Sequence, residues 1–178
     1  MKKIKRIFIA TAMSSLLLVA CSKNNDRSTL NVRLTDAPLA VDEVNVEILE
    51  VRVNMNEATA ADASEESSNG WIKMETNKGV FNLLDLQNGI DTILGTALLP
   101  TGTVKEIRFI LGPNNTIKEN GVEYPLVIPS GASSGLKIKV DKALKADFET
   151  LLIDFDAALS IQKDGPADYK LRPVLKVK

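Results

Sequence analysis

Val44-Asn45-Val46-Glu47-Ile48-Leu49-Glu50-Val51-Arg52-Val53-Asn54-Met55 is the longest stretch of alternating apolar and polar residues in the chain. A period of two places successive side chains on opposite faces of a strand, so Val44, Val46 and Ile48 form one apolar face. From Leu49 onward the apolar set continues on the other parity, as Leu49, Val51, Val53 and Met55. A phase change inside an unbroken strand pattern predicts a β-bulge or a strand that passes between two sheets. The valine content and the alternation both argue against a helix.

Residues 29–34 read as a first strand that Asp36-Ala37-Pro38 ends in a turn. Residues 56–70 are acidic, rich in small residues and without pattern, and are expected to form a loop between two strands. Short strands are predicted over 70–75 and 79–86, the second closed by Asn88-Gly89. Residues 90–99 carry Ile90, Ile93, Leu94, Ala97 and Leu98 at helical spacing before Pro100, which predicts a single helix of one or two turns. Residues 105–111 return to alternation, with Ile107, Phe109 and Leu111 inward and Arg108 outward.

A hairpin is predicted over 116–128 around Glu119-Asn120-Gly121, because Asn-Gly supplies the positive φ of a tight turn. Leu136, Ile138 and Val140 alternate with Lys137 and Lys139 as a half-buried strand. Residues 148–155 are more continuously apolar, which suits a central strand covered on both faces. Residues 169–177 close the chain. About eight or nine short strands with at most one short helix make this an all-β protein, an antiparallel β-sandwich over 29–178.

The N-terminus has a different logic. Lys2, Lys3, Lys5 and Arg6 precede an uncharged apolar run over 7–20, the layout of a secretory signal peptide. The run stops short of the ~20 apolar residues that a membrane-spanning helix needs. Leu18-Val19-Ala20-Cys21 resembles the lipobox of bacterial lipoproteins, which implies cleavage after residue 20, lipidation of Cys21 and attachment to a membrane. Cys21 is the only cysteine in the chain, so it has no intramolecular disulfide partner. Residues 21–28 then read as a polar, flexible tether. Ser22, rather than an aspartate, after the cysteine resembles lipoproteins sorted to an outer membrane. The segment from Lys23 to Asp26 resembles tags that carry some lipoproteins to the cell surface, and the sequence leaves periplasmic and surface-exposed faces both open.

Removing residues 1–20 leaves 158 of 178 residues, enough for one domain with a core. It also takes the net charge from −1 to −5, with 18 Lys and Arg against 23 Asp and Glu. That balance argues against a nucleic-acid partner. The chain has no histidine, which excludes Ser-His-Asp and Cys-His catalysis and the common zinc sites. Neither phosphate-cradling glycine loops nor a nucleophile elbow occur, so no cofactor is expected.

Taken in order, Thr35-Asp36-Ala37-Pro38, Gly70-Trp71, Leu83-Leu84-Asp85-Leu86-Gln87-Asn88-Gly89, Ile107-Arg108, Ile128-Pro129-Ser130-Gly131, Ser134-Gly135-Leu136-Lys137, Asp154-Phe155-Asp156-Ala157 and Tyr169 resemble the domain of unknown function family 4382 of bacterial envelope lipoproteins. The likeness covers the mature domain from about Leu30 to Val177 and departs at Val104, where an aromatic is often found. It implies a β-sandwich of transthyretin-like type and carries no activity with it.

Asp154 and Asp156 lie two apart on a predicted strand and so share a face, which makes them candidate calcium ligands. Asp36 and Asp85 are of the same type at other strand ends. The competing expectation is that these carboxylates cap loop amides or pair with Arg108 or with lysines. Trp71, Tyr124 and Tyr169 are the candidates for sugar stacking, against ordinary aromatic packing. The function these features suggest is a non-enzymatic binding or assembly module for a glycan or protein partner, an open sheet edge being one means of assembly. An acid-pair glycoside hydrolase is the alternative.

Overall fold

A computed structural model of the chain describes residues 27–56, 70–129, 135–145 and 147–178. Among them are fourteen strand segments: β1 (Arg27–Asp36), β2 (Glu43–Asn56), β3 (Trp71–Lys73), β4 (Glu75–Thr76), β5 (Gly79–Asn82), β6 (Thr92–Pro100), β7 (Gly102–Leu111), β8 (Thr116–Glu119), β9 (Val122–Val127), β10 (Leu136–Leu144), β11 (Phe148–Phe155), β12 (Ile161–Lys163), β13 (Tyr169–Leu171) and β14 (Leu175–Val177). One four-residue helix, α1 (Ala157–Ser160), follows β11. The expected signal peptide, Cys21 and most of the acidic loop over 56–70 lie outside the described residues.

The smaller sheet has the order β14-β11-β1-β6-β4 and the larger β10-β7-β2-β8-β9-β13-β12, with β3 and β5 on the other edge of β2. The fold is the all-β sandwich that the alternation predicts. Most pairs are antiparallel, but β1 pairs with β11, and β9 with β13, in parallel. Leu30, Val32 and Leu34 of β1 are fully or almost fully buried, as are Val44, Val46, Ile48, Val51 and Val53 of β2. Gly95 of β6 marks a close approach between the sheets, because a Cβ there would lie 3.3 Å from Cβ of Met74 and 3.5 Å from that of Val51.

The phase change in β2 is a bulge. Ile48 pairs with Leu111 and Glu50 with Ile110, leaving Leu49 as the extra residue. Ile48 and Val51 therefore both face the core, and Leu49, which the alternation placed with the inward set, is turned outward at 37% exposure. β2 meets β7 along its second half and β8 along its first. Between them Asn115 stands in for a strand: its side chain accepts from the Glu47 amide at 2.9 Å and donates to the Gly112 carbonyl at 2.7 Å.

Four local expectations change. β1 begins at Arg27, and Ser28, in the expected tether, is fully buried. The strand expected over 70–75 changes sheets at Met74: β3 pairs with β2, β4 pairs with β6, and the Met74 amide donates to Val51 at 2.9 Å. The strand expected over 79–86 stops at Asn82, whose side chain accepts from the Leu84 amide and starts a 3₁₀ turn over Leu83–Leu86. The helix expected over 90–99 is instead β6. There Val32 pairs with Gly95 and Arg33 with Ile93, so Leu94 is an inserted residue that turns two neighbours inward and imitates helical spacing. The hairpin turn is as expected, with positive φ at Asn120 (53°) and Gly121 (79°).

Candidate functional site

The carboxylates singled out in the sequence do not all come together. Asp36, Asp154 and Asp156 meet near one end of the smaller sheet, whereas Asp85 lies exposed on the 3₁₀ turn and accepts from Asn82. Asp36 is buried; its carboxyl accepts from the Ala157 amide at 2.9 Å and from the Gln87 amide group at 3.4 Å. Burial outweighs these bonds and pushes its pKa up to about 6. Asp156 caps α1 by accepting from the Leu159 amide at 3.1 Å, and Lys176 approaches its other oxygen at 2.8 Å. That lysine holds the Asp156 carboxyl below the usual range. Asp154 pairs with Lys178 at 3.1 Å, while its other oxygen is buried without a partner.

These are the capping and lysine-pairing roles set against the calcium reading. Among the described residues, no group of three or more carboxylates, cysteines or histidines is placed to hold a metal ion. An acid pair for hydrolysis would draw on the same carboxylates. Lys176, Lys178 and the Leu159 amide hold three of the four carboxylate oxygens of Asp154 and Asp156, and the fourth, on Asp154, is buried.

Of the aromatic candidates, Tyr124 and Tyr169 stack on each other, ring centres 5.2 Å apart, and the buried Tyr169 donates its hydroxyl to Glu119 at 2.7 Å. Their role is to fasten β13 to the β8–β9 hairpin. Trp71 is different. It lies on the solvent side of the larger sheet, yet only 8% of it is exposed.

What covers it is cationic. The Arg108 guanidinium sits 4.1 Å above the indole centre and the Lys137 ammonium 5.9 Å from it. Strand register explains the arrangement. Lys73 pairs with Arg52, Arg52 with Arg108 and Arg108 with Lys137, so four cations stand in one row across β3, β2, β7 and β10. With strands ~4.8 Å apart, the row is roughly 14 Å long. The next row runs Trp71, Asn54, Glu106, Lys139.

The row is neutralised at one end only. Glu50 takes an ion pair from Arg52 and another from Lys73 at 3.1 Å. Burial opposes ionisation of Glu50, yet these two bonds outweigh it and hold the carboxyl below its usual range. Arg108 and Lys137 have no acid partner among the described residues, and the Arg108 Nε is buried without an acceptor. Beside them a shallow groove of about 330 Å³ is lined by Asn54, Lys105, Glu106, Lys139 and Asp141. A guanidinium held on a ring and short of acceptors is a ready partner for a carboxylate or phosphate, which it can meet with two parallel bonds.

The sequence had pointed to Trp71 and to an outward Arg108, but Arg52, Lys73 and the place of Lys137 beside them were missed. Each is an ordinary outward residue of its own strand, and only the registers bring them into one row.

A family model described as Domain of unknown function (DUF4382) matches residues 27–173. No curated protein and no solved structure matches the chain.

Proposed function

We propose that this chain, which belongs to the DUF4382 family, is a lipid-anchored cell-envelope module that binds an acidic glycan on the outer face of its larger sheet and performs no catalysis. The observation that carries the reading is the row Lys73, Arg52, Arg108 and Lys137 beside Trp71, with two of its four cations unpaired by acids among the described residues. The row lies on a domain whose mature charge would be −5. Its local sign is therefore set against the average, as expected where a surface has an anionic partner. A flat face about four strands wide suits an extended polymer better than a small molecule, which would want an enclosed pocket.

The anchor half of the proposal rests on the lipobox resemblance at Cys21 and on the charged and apolar layout before it. Ser22 after that cysteine supports an outer membrane as the site of attachment. Edge-to-edge assembly, the other mechanism raised by the sequence, has less support. Of the two terminal strands of the larger sheet, β12 is only three residues long, and β10 carries exposed Lys137 and Lys139 and a positive φ at Asp141 (47°), features that discourage strand addition.

The test is electrophoresis of the detergent-extracted full chain through gels containing a polyuronate or a neutral glucan. Retardation by the polyuronate alone is the expected result. Equal mobility in both gels would overturn the glycan reading.

A further inference from the structure

Leu98 and Phe148 are among the most exposed large apolar residues, at 59% and 58%. β1 brings them together, since both pair with Thr29, one from each side. Directly paired residues share a face with Cβ atoms ~5 Å apart, so the two stand roughly 10 Å apart across Thr29. Ser28 and Leu30 are buried, which leaves Thr29 and its two partners on the outer face of the smaller sheet.

Their position along the sheet gives the patch a direction. Arg27 pairs with Pro100, Gly102 with Leu144 and Thr29 with Phe148, so β1 starts at the pole where β6 ends, β7 begins, β10 ends and β11 begins. Five residues separate Cys21 from Arg27, which makes six Cα-to-Cα steps. At ~3.3–3.6 Å per residue, that length of chain reaches about 20 Å at most. The exposed charges around the patch, Arg27, Lys145 and Asp147, are of both signs.

We propose that this pole rests on the bilayer that holds the Cys21 lipid, with Leu98 and Phe148 entering the boundary between headgroups and acyl chains. The inference rests on the anchor reading above. Apolar side chains at that depth bury surface against lipid and add to the hold of the acyl chains. Contact at two points on one sheet also fixes orientation. β2 runs the length of the sandwich, and Glu43 at its first residue pairs with Lys118, so the tip at Val122 points away from the membrane.

The lone native cysteine makes the test direct, because lipidation blocks it and a second cysteine can be labelled alone. Leu98→Cys, Phe148→Cys and Val122→Cys full chains, each carrying an environment-sensitive fluorophore, are reconstituted into phosphatidylcholine vesicles. The probes at 98 and 148 are expected to be quenched by nitroxide-labelled lipid and shielded from iodide, and the probe at 122 to show the reverse. If protein floats with the vesicles while iodide quenches 98 and 148 as strongly as 122, membrane contact is overturned and the anchor stands. Shielding from both quenchers would show a second copy over the patch, which also overturns it. Protein that does not float removes the anchor reading and this inference with it.

Discussion

Arg52 and Arg108 stand directly opposite each other on β2 and β7, on the solvent side of the larger sheet. Like charges in that relation destabilise a pair of strands. The arrangement persists because each arginine is drawn elsewhere, Arg52 to Glu50 and Arg108 onto Trp71. Arg108→Met keeps most of the stem over the indole and removes the charge. It is expected to leave stability unchanged or raise it by up to about 1 kcal/mol, since cross-strand repulsion and ring stacking are of similar size. Urea unfolding measures this. A loss above about 2 kcal/mol would mean that Arg108 is kept for structure.

Asp36 gives the fold a pH signature. Its pKa is raised from 3.8 to about 6 by burial, so between those values the folded chain holds a proton that the unfolded chain has lost. The stability from this group is therefore present at low pH and disappears as pH rises through about 6. Asp156, lowered by Lys176, has the opposite sign, but its window lies below the ordinary carboxylate value. Asp36→Asn retains an acceptor for the Ala157 amide without the charge. Its melting temperature is expected to match the native chain near pH ~4 and to exceed it near pH ~7. Parallel curves across that range would contradict the raised pKa.

Calcium is expected to do nothing to melting. Asp154 and Asp156 already face Lys178 and Lys176, and a divalent ion would have to displace both lysines. Occupancy at 100 times the Kd would add ~2.7 kcal/mol, a rise of several degrees in a domain of this size. Such a rise, lost in Asp156→Asn, would restore the metal reading.

The sequence carried the sandwich and even the β2 bulge, because alternation and its change of phase are local signals that register with any partner strand. It misread residues 90–99 for the same reason. The inserted Leu94 disturbs the period of two, and three-to-four spacing results without a helix. The parallel contact of β1 with β11 joins segments more than a hundred residues apart and leaves no local mark. α1 was missed because it is a single turn set by the Asp156 cap. The cationic row is illegible for the same physical reason as the parallel pair: Arg52, Lys73, Arg108 and Lys137 become neighbours only through three registers.

The anchor has its own measurement. Intact mass of chain extracted from membranes is expected to correspond to cleavage before Cys21 plus acyl chains, and Cys21→Ala to remain unprocessed or leave the membrane. An unmodified Cys21 thiol, or cleavage elsewhere, would make this a secreted domain without a tether.

The most direct test of the binding account is a titration of polyuronate into the detergent-extracted chain at low and at physiological ionic strength. The comparison is among the native sequence, an Arg108→Met, Lys137→Met double variant, and Lys118→Met as a cationic residue on another part of the sheet. Native affinity is expected to fall as salt screens the face, with a Debye length of ~8 Å at 0.15 M. The double variant should lose ~10-fold or more at low salt, about 1.4 kcal/mol, and Lys118→Met should bind as the native chain does. A double variant that binds as tightly as the native chain, with the same dependence on salt, would contradict the account.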